Sequence, residues 1–382
     1  MAKLKLFFEG ILMKTNIKTV LICLLLAMAL ILTGCSKREE PVAEPTPEPA
    51  PTEAPVVATP EPTPEPTAEP TPEPTPEPVE TASGFTNPLT GEAMDKDISM
   101  LRPYTVMLNN HQNALPQCGI SSADIIYEMP EEGITRMLGV YSQLPDCERL
   151  GSIRSTRPYH IDVSMSYDAI FVHWGRSEKA ANMLWNTGID HIELNENPAG
   201  SYAYRDSTHS GYVEHTGFIK TEQLEKFITD KSWRTEHESE HGYGFHFAEA
   251  PELSGGKAET VLVGFAGKYS NFFYDAEKNG YTMAQYQIDY IDGDTGEIPA
   301  FRNVLVLRTT IYDETGLASI VLTDTTGTGY LFCDGKYEEI KWSRGALEDN
   351  FEYFKADGSP LELGVGKSYV CIVSGGDRVE FN

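Results

Sequence analysis

The chain is poor in basic residues. Its 382 residues contain 30 Lys and Arg against 57 Asp and Glu, which gives a formal net charge of −27. Residues 1–35 contribute +3 and residues 36–80 contribute −9, which leaves −21 for the rest of the chain. Nucleic acids and anionic lipid headgroups are recognised largely through Lys and Arg. This imbalance therefore argues against nucleic acid as a partner.

Several motifs of common enzyme classes are also missing. The sequence has no serine nucleophile elbow, no phosphate-binding loop and no dinucleotide-binding fingerprint, so we expect no cofactor. His237 and His241 have the spacing of two metal ligands on a helix, and His215 and His246 occur in the same region. Because that region is rich in Ser, Gly and Glu, we do not predict a metal site there.

Cysteines are few, and two of the six belong to the N-terminal region. The other four are Cys118, Cys147, Cys333 and Cys371. In an exported protein an even number permits disulfides, and the local pairing would join Cys118 to Cys147 and Cys333 to Cys371. Four free, buried thiols are the alternative, and the spacing does not decide between them.

A long hydrophobic run occurs only near the N-terminus. Residues 20–32 carry no charge and no proline, and this run is shorter than a typical bilayer span. Gly34 precedes Cys35, and Leu32 lies three residues before that cysteine, as in a lipobox. We expect a lipoprotein signal peptide over residues 1–35. Two acyl chains on Cys35 would then anchor the protein to the outer face of the cytoplasmic membrane. An uncleaved anchor helix would also place the body outside.

The next segment, residues 36–84, is dominated by repeated Glu-Pro-Thr-Pro units. Proline fixes the backbone φ angle and the glutamates repel one another, so the segment predicts a disordered, extended tether with a rise of roughly 3.1 Å per residue. Residues 41–78 would span on the order of 100 Å by that rise, a length that suits the thick wall of a Gram-positive cell.

From residue 85 onward the sequence predicts a folded body of the α+β class. We expect an N-terminal mixed α/β domain over residues 85–255 and a smaller, mostly β C-terminal domain over residues 256–382. In the first domain, strands are predicted at residues 105–108, 124–129, 134–141 and 169–173, and helices begin near Pro158, Glu178 and Thr221. In the second, strands are predicted at residues 261–265, 282–289, 304–312, 317–323, 329–333, 337–342 and 368–373.

The segment of residues 150–159 concentrates arginines and hydroxyl groups just before a predicted helix. Arginine, hydroxyl groups and the free N–H groups of a helix N-terminus together favour an anion. The predicted ligand-binding residues are Arg102, Asn109, Arg136, Arg154, Ser155 and Arg157. The alternative is that Arg154 and Arg157 form buried ion pairs with Glu128, Glu131 or Glu132.

Whether the protein is an enzyme is left open by the sequence. A binding protein for an anionic envelope ligand, such as a cell-wall fragment, or for an envelope protein is the leading interpretation. The alternative is a cell-wall hydrolase or transferase that uses Glu128 or Glu132 together with His173. Each candidate also has an ordinary structural interpretation: the glutamates on a solvated turn, and His173 as a buried, hydrogen-bonded side chain.

The chain resembles the YerB-like lipoprotein family, whose body is a domain of unknown function. The matching segments are residues 87–91, 102–103, 115–120, 123–128, 132–136, 151–159, 173–175, 204–206, 215, 329–342 and 364–372. The resemblance covers nearly the whole body. It implies an N-terminal α/β domain, a smaller C-terminal domain and a lipid anchor, and it implies no established activity.

Overall fold

The computed structural model describes residues 84–265 and 267–382. The predicted signal peptide, Cys35 and the tether up to residue 83 lie outside the described residues. In the part that is described, no helix is both long and apolar enough to cross a membrane.

Strands dominate the described residues. In chain order they are β1 Phe85–Thr86, β2 Ala93–Met94, β3 Tyr104–Asn109, β4 Ile125–Glu131, β5 Ile134–Tyr141, β6 Arg149–Gly151, β7 Ile170–His173, β8 His191–Glu193, β9 Ala203–Arg205, β10 Gly217–Lys220, β11 His246–Ala248, β12 Thr260–Phe265, β13 Lys268–Asp275, β14 Gly280–Gln285, β15 Ile288–Asp289, β16 Ala300–Phe301, β17 Asn303–Thr309, β18 Ile311–Glu314, β19 Leu317–Ile320, β20 Thr325–Cys333, β21 Lys336–Arg344, β22 Glu352–Lys355, β23 Glu362–Gly364, β24 Ser368–Ser374 and β25 Val379–Phe381.

The three α-helices of the described residues are α1 Pro158–Ser166, α2 Glu178–Thr187 and α3 Thr221–Lys231. Helix α2 shows why these segments are helical: the Ser177 hydroxyl accepts a bond from the Ala180 N–H at its start, and Gly188 adopts a left-handed conformation at its end. All three helices fall where the sequence predicts them, in the N-terminal half. The chain is nevertheless β-rich, so the predicted α+β class and the mixed α/β character of the N-terminal half are confirmed only in part.

The largest sheet has ten strands in the order β22-β21-β20-β17-β24-β4-β5-β3-β7-β8. Strands β3 and β4 are buried at every residue, which explains why neither shows the regular alternation of apolar and polar residues that a half-exposed strand has. Strand β24 pairs in parallel with β4 on one side and with β17 on the other. Strands from both sides of residue 255 therefore share one sheet, and a domain boundary at that residue stays a prediction.

A second sheet packs against the first through aromatic side chains. It has the order β15-β14-β13-β12-β25, with β16 paired to β14. The rings of Phe272 on β13 and Phe301 on β16 lie 5.1 and 5.0 Å from the ring of Tyr369 on β24. Such edge-to-face contacts stabilise the junction of the two sheets. A smaller sheet, β6-β10-β9, completes the region around the predicted ligand-binding residues.

The four cysteines of the body are free thiols in this structure. Cys118, Cys333 and Cys371 are buried, and burial raises the thiol pKa of all three. The sequence leaves open whether these cysteines form disulfides or stay free, and in the structure they are free.

Candidate functional site

Two of the predicted arginines surround one buried glutamate. Glu131 ends β4, and the antiparallel return of β5 brings Arg136 beside it, where the two side chains form an ion pair. Arg157, at the start of α1, lies 2.5 Å from Glu131 and 2.8 Å from Glu132. Burial raises the pKa of Glu131 to about 7, although both guanidinium groups act to lower it. The ion-pair interpretation therefore holds for Arg157.

Arg102 lies elsewhere and is fully engaged. It is 2% exposed and donates to the carboxylate of Asp190 at 2.7 Å. It also donates to the carbonyl oxygens of Asp168, Ala169 and Arg234. These bonds tie Arg102 to three other segments of the chain, and its role in binding a ligand stays a prediction.

Glu128 is completely buried in a polar network. Its carboxylate accepts hydrogen bonds from Asn110, Thr135, Lys268, Ser270 and Tyr369. Burial lowers the pKa of Lys268, while the charge of Glu128 opposes that shift. A charge buried this deeply needs such partners. The network joins β4 to β13 and β24.

His173, the third catalytic candidate, is also buried. Its Nδ1 lies 3.0 Å from the carbonyl oxygen of Gly175, and its Nε2 lies 3.0 Å from Nδ1 of His191. Burial lowers the pKa of His173 to about 3, so its imidazole is neutral near pH 7. Among the described residues, no hydrogen bond or ion pair joins any two of Glu128, Glu132 and His173.

Arg154 differs from the other predicted arginines because it forms no ion pair in the described part of the chain; the carboxylates of Glu131 and Glu214 act on it only at longer range. Its Nη1 donates to the carbonyl oxygen of Glu214 at 3.2 Å. Arg205, on β9, donates to the carbonyl oxygen of Val213, the preceding residue of the same turn, and it too forms no ion pair there. The guanidinium groups of Arg154 and Arg205 therefore both contact one short turn. Neither group is in direct contact with a carboxylate.

Trp174 contacts both arginines, Arg205 through its indole ring and Arg154 through its backbone. The guanidinium carbon of Arg205 is 4.4 Å from the centre of the Trp174 ring, and the backbone N–H of Trp174 donates to the carbonyl of Arg154 at 2.9 Å. Such cation–π contacts hold an arginine in place while leaving its N–H groups available. Ser155, the next residue in the predicted set, contributes its carbonyl oxygen to Arg136 at 2.5 Å.

Two histidines extend this surface. Nδ2 of Asn109 lies 2.9 Å from Nδ1 of His215, and the rings of His111 and His215 stack with centres 4.8 Å apart. Burial and the neighbouring charge of His111 and Arg154 lower the pKa of His215. We call the set Asn109, His111, Arg154, Trp174, Arg205 and His215 the Arg154 surface.

Several polar atoms at this surface are buried without a hydrogen-bond partner among the described residues. They are Nε of Arg154, Nε1 of Trp174, Oγ of Ser152 and Oε1 of Gln117. Gln117 and Ser152 both contact the backbone of Asn109, which places them next to the surface. An unpaired buried polar group costs roughly 1–3 kcal/mol. Gln117 and Ser152 are completely buried, so a bound ligand could supply partners only to the donors of Arg154 and Trp174, which are partly exposed residues.

The sequence pattern singled out Arg154 and Asn109 but not Arg205, Trp174 or His111 as ligand-binding residues. Strands β6 and β9 both pair with β10, and this pairing brings residues 149–151 and 203–205 together. The sequence contains only a weak indication that Arg205 belongs to this site. Tyr204 and Arg205 form a short polar run, and nothing in their spacing relates them to residue 154.

Residues 237–241 read His-Glu-Ser-Glu-His, the H-E-x-x-H pattern of some zinc enzymes. That pattern requires a helix, and the segment is irregular in the structure. His237 contacts Asp168 at 2.8 Å and Tyr243 at 2.9 Å, and His241 contacts the carbonyl of Ser166 at 2.9 Å. Within the described residues, no cluster of side chains is arranged to hold a metal ion.

The fold and the match to family models define the class of this protein. The description of the family is "protein of unknown function (DUF3048)", and its N-terminal domain matches residues 89–234 while its C-terminal domain matches residues 261–370. The chain belongs to this two-domain family.

The relatives agree with that assignment. The chain is 28% identical over 302 residues to YerB of Bacillus subtilis (strain 168), whose name describes it as a candidate lipoprotein; the match covers 77% of this chain and 88% of YerB. The crystal structure of YerB superposes with a TM-score of 0.67 at 27% identity and covers 77% of this chain and 99% of that chain. The resemblance to the YerB-like family is therefore confirmed.

Proposed function

We propose that this protein is a lipid-anchored protein of the cell envelope whose Arg154 surface binds an anionic envelope ligand. The observation that carries the proposal is the pair Arg154 and Arg205. Both guanidinium groups donate to neighbouring carbonyl oxygens of one turn and neither forms an ion pair in the described part of the chain. In a body whose net charge is −21, two such arginines side by side favour an anion.

The location follows from the N-terminal sequence. Lipidation of Cys35 would hold the protein on the outer face of the cytoplasmic membrane. The length of the tether suits a thick cell wall, and this favours a Gram-positive cell. The candidate lipoprotein name of YerB supports the same location. The anions most abundant outside such a membrane are the phosphates of wall polymers and the carboxylates of peptidoglycan peptides, and both fit the planar donors of arginine.

The polar atoms around the arginines support a ligand with several hydrogen-bonding groups. Nε of Arg154 and Nε1 of Trp174 are donors without partners among the described residues, and Oε1 of Gln117 is an acceptor. Gln117 is completely buried, so the two donors are the groups that a ligand would meet. An anionic ligand with more than one acceptor atom would satisfy both donors.

The test is calorimetry on the full chain with soluble teichoic-acid fragments and, separately, soluble peptidoglycan fragments. Arg154→Ala is expected to weaken binding by roughly tenfold or more, because hydrogen bonds to a charged group contribute about 1.5–3 kcal/mol. Arg378→Ala is the matched control, since Arg378 is exposed and pairs only with the exposed Glu380.

The two fragment types distinguish phosphate from carboxylate as the recognised group. Binding of either by the wild type, lost in Arg154→Ala and kept in Arg378→Ala, supports the proposal. If neither fragment binds, or if Arg154→Ala binds as well as Arg378→Ala, the proposal is wrong.

A further inference from the structure

A second surface with unmatched positive charge lies on the ten-stranded sheet, on strands that the Arg154 surface does not use. Two adjoining cavities of about 750 and 240 Å³ share Arg308, Thr328 and Lys341 in their linings. We call this continuous depression over β17, β20, β21 and β22 the Arg308 groove. The polar, charged and aromatic side chains considered below all line the larger cavity: Arg308, Thr326, Thr328, Lys341, Ser343 and Phe354.

The strand register places these side chains in rows across the groove. Thr328 pairs with Lys341, which in turn pairs with Phe354, and Thr326 pairs with Ser343. Directly paired residues, and residues two apart on a strand, point to the same face of a sheet. Because Thr326, Thr328 and Lys341 are exposed, that face is the one in contact with solvent.

The two cations of the groove have no ion pair in the described part of the chain. Nη1 of Arg308 donates to the carbonyl oxygens of Ser374, Gly375 and Asp377 at 3.0–3.2 Å. Nζ of Lys341 donates to a single carbonyl oxygen, that of Ala356, at 2.6 Å. Carbonyl oxygens orient a cation without neutralising it, so neither positive charge meets a carboxylate in direct contact, and Glu339 is the acidic side chain two residues from Lys341 on the same face of β21.

The lining of the larger cavity contains no carboxylate, and Glu339 is the acidic residue that lines the smaller one. The body as a whole carries a net charge of −21. A groove with two unmatched cations on such a body is complementary to a negatively charged ligand.

Hydroxyl groups and one aromatic ring indicate what else the ligand contains. The hydroxyls of Thr326 and Thr328 make no hydrogen bond within the described residues, and Ser343 donates to Glu352 at 3.2 Å. A hydroxyl group both donates and accepts, as do the hydroxyls of a sugar. Phe354 is partly exposed at the end of the row and offers an apolar surface to the face of a sugar ring.

We infer that the Arg308 groove binds an acidic oligosaccharide. Its four strands span roughly 14 Å at the usual strand spacing, which suits a short segment of a chain. A neutral glycan would leave the cations unmatched. An acidic peptide would use the cations, and its backbone amides would also bond the hydroxyls. The choice of a sugar over a peptide therefore rests on the exposed face of Phe354, and hexaglutamate is the comparison that tests it. This inference does not depend on the Arg154 surface.

The test is binding of oligogalacturonate of six residues to the full chain, measured by calorimetry beside neutral maltohexaose and hexaglutamate. Oligogalacturonate is expected to bind at least tenfold more tightly than either. Lys341→Gln should weaken that binding by roughly tenfold. Thr328→Val, which removes only a hydroxyl from an exposed position, should weaken it by a smaller factor.

The controls separate the groove from other surfaces. Lys336→Gln removes the same charge from the same strand outside the groove, and Arg154→Ala alters only the other proposed site; both should bind oligogalacturonate as the wild type does. No binding of oligogalacturonate, equal binding of hexaglutamate or maltohexaose, or unchanged binding by Lys341→Gln would overturn the inference. Loss of binding in Arg154→Ala would do so as well.

Discussion

At the scale of single residues, the arginines divide according to their partners. Most of them form ion pairs, and Arg154, Arg205, Arg308 and Arg344 instead donate to backbone carbonyl oxygens within the described residues. Arg344 is 2% exposed and its bonds fix a loop. The other three are accessible to solvent to some degree, and they mark the two surfaces proposed to bind ligands.

The buried imidazole of His173 leads to a prediction about pH. Its pKa is about 3 in the folded state, below the ordinary value of 6.5, because burial disfavours the charged form. The unfolded chain therefore binds more protons between these pH values, and the stability that neutral His173 contributes is lost as the pH falls below 6.5.

We expect the unfolding free energy of the wild type to fall more steeply with acidification than that of His173→Gln. The difference in slope should approach about 1.4 kcal/mol per pH unit between pH 6 and pH 4. Urea unfolding at a series of pH values measures both slopes. Parallel curves for the two proteins would show that His173 does not titrate differently in the folded state.

At the scale of elements, a glycine of β10 determines how closely the strand approaches Trp174. A Cβ atom on Gly217 would lie 2.6 Å from the Trp174 ring, closer than van der Waals contact allows. Gly217 also pairs with Arg205 across the β9–β10 ladder. The absence of a side chain at this position therefore lets Trp174, Arg205 and the Arg154 segment come together.

We predict that Gly217→Ala destabilises the protein by about 1–3 kcal/mol through overpacking and weakens binding at the Arg154 surface. Gly211→Ala is the matched control, since nothing lies within 4 Å of its added Cβ. Thermal unfolding and the calorimetry described above measure the two effects. Wild-type stability and binding in Gly217→Ala would mean that this contact does not position Trp174.

Many elements could be predicted from the sequence, and the failures have physical reasons. Strand β5 and helix α2 follow clear local patterns and were predicted correctly. Strand β13 was missed because Lys268 and polar residues interrupt its pattern, and Lys268 is buried only because it pairs with the distant Glu128. Residues 282–289 were predicted as one strand, but Tyr286 and Gln287 turn the chain with positive φ angles, which neither residue type favours.

The candidate site was predicted less completely than the strands. The basic segment around Arg154 was visible, since arginines are scarce in this acidic chain. Whether Arg157 or Arg154 would be paired with a glutamate depends on the β4–β5 turn, which brings Glu131 and Glu132 to Arg157. Local sequence does not contain that information, nor does it place Arg205 beside Arg154.

At the scale of the whole molecule, the central strand of the large sheet comes from the end of the chain. Strand β24 lies between β4 and β17, so that residues near 125, 304 and 370 are neighbours. The buried pair Glu128 and Lys268 joins the two sheets. Because of these connections, the two family domains together form the scaffold on which both proposed surfaces lie.

Binding of an envelope anion at the Arg154 surface can be observed in a crystal structure of the protein soaked with teichoic-acid or peptidoglycan fragments. We expect density for a phosphate or carboxylate group within about 3 Å of guanidinium nitrogens of Arg154 or Arg205. A structure in which both arginines keep only their bonds to Glu214 and Val213, at a fragment concentration that saturates binding in solution, would contradict this expectation.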